Sequence, residues 1–223
     1  MRKDFATKSY KFWNKKNTIQ EFRVQPLSDY WVSFFKVIPS RAKKKVLDLG
    51  CGAGRNTKML IKLGFDTFSC DKYKKMVEET RKQIKKFNKA NSHKVLICDM
   101  SELPYQNSFF DLILCHGVFH NASSIKDFRK AVSECSRVLK PGGRLCFNFF
   151  TSKYIAEDFR EINRVQKTFS TKEGLIMTLI SVENFLSIAA QYDLSPQSKI
   201  TEYKTKVSTG YRSVARGIFK KDQ

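Results

Sequence analysis

Short apolar runs alternate along the chain with longer segments whose apolar residues recur every three or four positions, the rhythm of strand followed by helix. Lys45-Val46-Leu47-Asp48-Leu49 reads as a buried strand that breaks at Gly50, and Asn56 to Leu63 continues with Met59, Leu60 and Leu63 at helical spacing. Residues Phe65 to Cys70 read as a second strand. Asp71 to Asn88 reads as a Lys-rich helix marked by Met76, Ile84 and Phe87, and His93 to Cys98 as a third strand. After the Leu103-Pro104 turn, Phe109 to Cys115 is continuously apolar, as in a parallel strand covered on both faces. Phe128, Ala131, Val132, Cys135 and Val138 mark one face of a helix from Ser124, which Lys140-Pro141-Gly142-Gly143 stops before a fifth strand, Arg144 to Phe150. Alternation this regular predicts a parallel sheet wound by right-handed crossovers.

The ends depart from that rhythm. Residues 9–38 hold aromatic-rich helical segments, with Tyr10, Phe12 and Trp13, then Tyr30, Trp31, Phe34 and Phe35. Residues 151–181 show no clear period and are long for a connection, which points to a lid or a substrate-facing segment. Val182 to Tyr192 reads as a helix, and Ser198 to Lys206 with Tyr211 to Lys220 as a hairpin joined at Ser208-Thr209-Gly210. With 223 residues and no internal repeat, the expectation is one domain: a helical cap (1–44), a core (45–150), the lid (151–181), then a helix and hairpin (182–223).

Candidate chemistry gathers at the strand ends, where open parallel sheets bind ligands. Asp48-Leu49-Gly50-Cys51-Gly52-Ala53-Gly54 places three glycines at alternate positions, so the backbone can turn sharply and approach a ligand closely. A dinucleotide loop has Gly-x-Gly-x-x-Gly, whereas here the third glycine comes one residue early. Asp71 ends the second strand, where a carboxylate can accept from ribose hydroxyls, with Lys72 beside it. Asp99, followed by Met100, ends the third, where another carboxylate can accept from an adenine amino group. Acidic residues at three successive strand ends suggest an adenosine ligand without a pyrophosphate.

Residues 45 to 150 resemble the Rossmann-like S-adenosylmethionine-dependent methyltransferases, narrowly the group with a PGG turn after the strand-four helix. The matching segments are VLDLGCGAG, FSCD, CDMSELPYQNSFFDLILCHGVFH and SECSRVLKPGGRLCFNFF, in that order. The resemblance implies an α/β fold with a seven-stranded sheet in the order 3-2-1-4-5-7-6, strand seven antiparallel, and S-adenosylmethionine as donor, with S-adenosylhomocysteine as product. It also implies donor contacts from Gly50, Cys51, Gly52 and Gly54 beneath the methionine part and from Asp48 and the Cys115 carbonyl near its ammonium. Asp71 would hold the ribose, with Lys72 adjacent, and Asp99 and the Met100 amide would meet the adenine.

Methyl transfer is an in-line displacement in which alignment and exclusion of water dominate, but a hydroxyl or ammonium acceptor must also lose a proton. His120 and His116, just past the fourth strand, are the candidate general bases, and Tyr10 and Trp13 are candidates to close over the donor or stack on an acceptor. No third metal ligand accompanies the histidines, so no metal is expected.

The formal charge of +21 would attract nucleic acid, membrane or acidic substrates, but it is peripheral: residues 1–45 hold 12 basic against 3 acidic residues and residues 72–94 hold 9 against 2. Lys-rich and without interleaved exposed aromatics, the second run reads as a solvated helix face rather than an RNA platform. Six cysteines without a Cys-x-x-Cys pair, and the lack of an apolar stretch of membrane-spanning length, suggest a cytoplasmic protein with buried free thiols. The leading expectation is a methyltransferase acting on oxygen or nitrogen of a small-molecule acceptor. A tRNA or rRNA acceptor, and a non-catalytic donor-binding subunit, are the alternatives.

Overall fold

The computed structural model describes residues 2–207 and 210–223; Ser208 and Thr209, placed above at the hairpin turn, lie outside the described residues. Three helices open the chain, α1 (Arg2–Trp13), α2 (Lys16–Val24) and α3 (Asp29–Lys36). The alternating core follows with β1 (Lys45–Leu49), α4 (Arg55–Lys62), β2 (Asp66–Asp71), α5 (Lys74–Lys85), β3 (Val95–Ile97), β4 (Phe110–His116), α6 (Ile125–Val138) and β5 (Leu139–Phe150). Next come β6 (Arg160–Asn163), β7 (Thr168–Ser170), β8 (Ile176–Thr178), α7 (Val182–Ala190), β9 (Leu194–Pro196), β10 (Thr201–Val207) and β11 (Gly210–Lys221).

The main sheet has the order β3-β2-β1-β4-β5-β11-β10, in which β1 to β5 are mutually parallel and β11 is antiparallel to β5. This is the expected 3-2-1-4-5-7-6 arrangement, with β11 as strand seven and β10 as strand six. Two details differ. The sheet has an eighth strand, because β9 also pairs with β11, across the register Phe219 to Pro196. Its three residues include a proline, which removes a ladder donor and hides the strand from periodicity. The fifth strand also begins earlier than Arg144: Leu139 already pairs with Phe110, and Lys140 to Gly143 bulge out before Arg144 pairs with Leu112.

The central strands β1, β4, β5 and β11 alternate between two cores. Leu47, Leu49, Ile113, Cys115, Leu145, Phe147 and Phe149 pack against Phe128, Ala131, Val132 and Cys135 of α6 and Phe185 and Ile188 of α7. On the opposite face Val46, Leu112, Leu114, Cys146 and Ile218 meet Trp31 and Phe35 of α3 and Met59 and Leu60 of α4. Burying a side chain of this size stabilises by about 1.5–3 kcal/mol, so these faces fix the register of every strand. The lysines of α5 stay outside while Met76, Val77, Thr80 and Ile84 turn inward.

Residues 151–181 are not irregular: β6, β7 and β8 form a small antiparallel sheet whose Leu175, Met177 and Leu179 pack with Phe12, Trp13 and Phe150. Thr178 Oγ1 donates to the Ala122 carbonyl at 2.8 Å, and Arg212, 1% exposed on β11, pairs with Asp158 at 3.0 Å. These bonds tie the small sheet to the loop after β4 and to the main sheet. Among the described residues no helix is long and apolar enough to cross a membrane.

Candidate active site

The turn from β1 to α4 forms the floor of a cleft of about 350 Å³ lined by Leu49 to Ala53, Asp71 to Tyr73, Cys98 to Ser101 and His116 to Val118. Gly50 has a φ of +69°, and a Cβ there would lie 2.3 Å from Val118 Cγ2, so only glycine fits. Gly52 has a φ of +53° and a Cβ there would meet nothing nearer than Phe22 at 3.7 Å, which leaves the backbone bare toward the cleft. Cys51 lines the same floor, its amide donating to the Cys70 carbonyl at 2.9 Å. Gly54, at φ +88°, caps α4 and lies behind the cleft wall.

Asp71 braces this turn. Its Oδ2 accepts from the Gly52 amide and its Oδ1 from the Tyr73 amide, both at 2.9 Å. Burial pushes its carboxyl up to about 6, against the pull of the Tyr73, Gly52 and Lys72 amides. Lone pairs remain on both oxygens for a diol. Asp99 stands on the next strand end, its Oδ1 accepting from the Ser101 amide and hydroxyl and its Oδ2 paired with Lys72 Nζ at 2.9 Å. Partial burial raises its carboxyl, but the Ser101 amide and Lys72 outweigh this and hold it below the ordinary value. The segment after Asp99 and Met100 is pinned by α6: the Leu103 amide donates to Glu134 at 2.7 Å, and Arg137 donates to the Leu103 and Tyr105 carbonyls.

One expected donor contact, Asp48, does not reach this cleft with its side chain. Asp48 is fully buried beneath the turn, where its Oδ2 accepts from Thr57 Oγ1 at 2.5 Å and Thr57 in turn accepts from Ser69 Oγ at 3.0 Å. Its Oδ1 has no partner, and burial raises the carboxyl to about 6 despite the Thr57 bond. The Cys115 thiol points into the α6-facing core.

A second chamber, about 570 Å³ and mostly apolar, opens beside the first and shares Trp13, Phe22, Arg55, His116, Gly117 and Asn121 with it. Its walls come from α1 to α3, from Leu175 and Met177 of the small sheet, and from β5, β10 and β11. Register places His116 opposite Asn148, and Asn148 opposite Arg216, so three polar side chains cross β4, β5 and β11 in one row. Sequence reading missed Asn148, Arg216 and Arg55. Asn148, the one polar residue inside Leu145 to Phe150, was the available signal; the rest requires cross-strand register.

The two histidines stand in different settings. His116 lies at the junction of the chambers, with Nδ1 3.5 Å from the Asn56 amide nitrogen. Burial, then the Arg55 and Arg216 charges, lowers its pKa to about 3, so the ring is neutral. His120 lines only the second chamber, is 3% exposed and stacks on Phe150 at 4.0 Å. Its Nδ1 accepts the Phe150 amide at 3.2 Å, which places the neutral ring's proton on Nε2 and leaves no free lone pair there. Burial and Arg212 lower its pKa to about 3 as well. Trp13 lines both chambers and stacks on Tyr73 at 5.9 Å, whereas Tyr10 is 56% exposed, lines neither, and only backs Tyr73 at 6.5 Å.

A bare glycine turn braced by a carboxylate that can accept a ribose, at the carboxyl edge of a 3-2-1-4-5-7-6 sheet, defines a Rossmann-like nucleoside-binding protein. Residues 47–147, a little under half of the chain, match the family model described as a methyltransferase domain. Over 100 residues it is 34% identical to the probable tRNA methyltransferase 9B of Mus musculus, covering 45% of this chain and 20% of that protein. It is 29% identical to the malonyl-[acyl-carrier protein] O-methyltransferase of Buchnera aphidicola, covering 71% of each chain. The fold of a S-adenosylmethionine-dependent methyltransferase from Methanosarcina mazei matches with a TM-score of 0.73 at 15% identity, over 89% of this chain and 99% of that one.

Proposed function

We propose that the protein transfers the methyl group of S-adenosylmethionine to an oxygen or nitrogen of a small-molecule acceptor. The observation that carries this reading is the pair of connected chambers, one suited to a nucleoside and the other apolar and walled largely by elements outside the matched stretch. Asp71 would hold the ribose and Asp99 with Met100 the adenine edge, Lys72 would close that rim, and Gly50 to Gly54 with Cys51 would support the methionine part. Asp48 would act from below by holding the turn through Thr57, and the Cys115 carbonyl would face the methionine ammonium. The donor supplies an electrophilic methyl on a sulfonium. The residues at the chamber junction align the acceptor and exclude water.

His116 is the proposed base rather than His120, because only His116 stands where the chambers meet. The Asn56 amide nitrogen faces Nδ1 in this structure; exchanging the nitrogen and oxygen of that amide would let Nδ1 keep its proton and leave Nε2 a lone pair for the acceptor proton. Trp13 would close over both chambers, with Tyr10 as its support through Tyr73. Six free thiols, five of them buried, fit a reducing cytoplasm. Calorimetry checks the donor half: S-adenosylhomocysteine should bind with one site per chain, and absence of binding would end the proposal.

A tRNA acceptor is the second reading, favoured by the +21 charge and by the likeness to the mouse protein named for tRNA. Filter binding across a salt series separates the two. Nanomolar RNA affinity with a steep salt slope would favour RNA, and only weak, shallow binding is expected.

A further inference from the structure

The second chamber holds an arginine that has no ion pair among the described residues. Arg216 projects from β11 with its guanidinium 3.9 Å from the Tyr30 ring and 5.2 Å from the Tyr203 ring, and its Nε is buried without a hydrogen-bond partner. Two of the residues lining the same chamber carry a further polar atom that is buried and unpartnered among the described residues, Trp31 Nε1 and Asn148 Oδ1. Buried polar atoms are ordinarily satisfied, so three unsatisfied ones on residues that line one cavity, one of them on a half-buried arginine, point to a ligand that would draw these side chains into hydrogen bonds. The chamber's acidic side chains do not neutralise the cation: neither Glu21 nor Glu173 forms an ion pair with it among the described residues, and Glu173 is exposed.

From this we infer that the acceptor is a small carboxylic acid with an apolar body, anchored by its carboxylate on Arg216 and Trp31. This rests on the methyltransferase reading and adds the substrate class to it. A guanidinium beside two tyrosine rings at the wall of an apolar space suits a planar monoanion, and the unpartnered Trp31 N–H beside the same space is a second donor within the wall. The Asn148 amide, next in the row, meets a neighbouring polar atom of the ligand. Arg216 is two strands from His116, about 10 Å at the usual inter-strand spacing, so the atom to be methylated lies about one ring's length from the carboxylate.

The test is binding, measured by titration calorimetry and saturation-transfer NMR on the full chain saturated with S-adenosylhomocysteine. The probes are 4-hydroxyphenylacetate, 3-(4-hydroxyphenyl)propanoate and indole-3-acetate, each with its primary amide, and phenyl phosphate. At least one acid should bind, at least tenfold tighter than its amide and than phenyl phosphate. Arg216→Leu should weaken that acid at least thirtyfold and Arg216→Lys less, with S-adenosylhomocysteine affinity unchanged in both. Trp31→Phe, which keeps the packing and removes the N–H, should weaken it several-fold. Binding of no acid, equal binding of acid and amide, or preference for the phosphate overturns the inference while leaving the methyltransferase reading intact. Failure of S-adenosylhomocysteine itself to bind defeats that underlying reading instead.

Discussion

Both oxygens of Asp71 already accept backbone amides, so this carboxylate shapes the glycine turn as well as offering itself to a diol. Asp71→Ala should therefore weaken S-adenosylhomocysteine by roughly 1–3 kcal/mol and loosen the turn, while Asp71→Asn should keep more of the turn than of the affinity. Calorimetry paired with urea unfolding reads the two effects separately, and unchanged affinity would remove Asp71 from the site. The histidines should likewise divide. His116→Ala is expected to lower turnover at least tenfold with donor affinity intact, whereas His120→Ala should cost about 1–3 kcal/mol of stability through the orphaned Phe150 amide. Equal losses of turnover in the two variants would dissolve the distinction. These settings were not legible beforehand: spacing places both histidines after one strand, but only the hydrogen bond to Phe150 shows which ring nitrogen is occupied.

At the scale of elements, the glycine turn and the loop after β4 are packed against each other at Gly50 and Val118. Gly50→Ala carries both a left-handed backbone cost of about 1–2 kcal/mol and a steric clash. Adding Val118→Ala should recover the steric part and leave the backbone part, which chemical denaturation of the single and double variants can resolve. Strand-helix alternation from Lys45 to Phe150 was readable because each strand is buried on both faces and each helix on one. The small sheet β6 to β8 was not, since its strands are three or four residues long and too short to show alternation. The row His116, Asn148, Arg216 joins residues 100 positions apart in sequence, and only the pairing of β4, β5 and β11 brings them together.

For the molecule as a whole, buried ionisable groups set opposing pH dependences. The Asp48 carboxyl lies near 6 in the folded chain against 3.8 in an exposed one, so between those values the folded state binds more protons and stability falls as pH rises. The buried His120, near 3 against 6.5, does the reverse: between those values the unfolded state binds more protons, so stability rises with pH. Asp48→Asn should therefore gain on the wild type between pH 4 and 6, by up to about 3 kcal/mol, in thermal or urea unfolding followed across that range. A constant difference between the two proteins would show that Asp48 keeps an ordinary carboxyl.

The second chamber draws its walls from stretches flanking the core on both sides, while the glycine turn and its carboxylates sit within the core. On the proposed reading the acceptor surface comes largely from those flanks, with His120, Asn148 and Phe150 added from the core, and the donor surface comes almost wholly from the core. On that reading, substitutions confined to the flanks can reshape the acceptor chamber while leaving the glycine turn, Asp71 and Asp99 untouched.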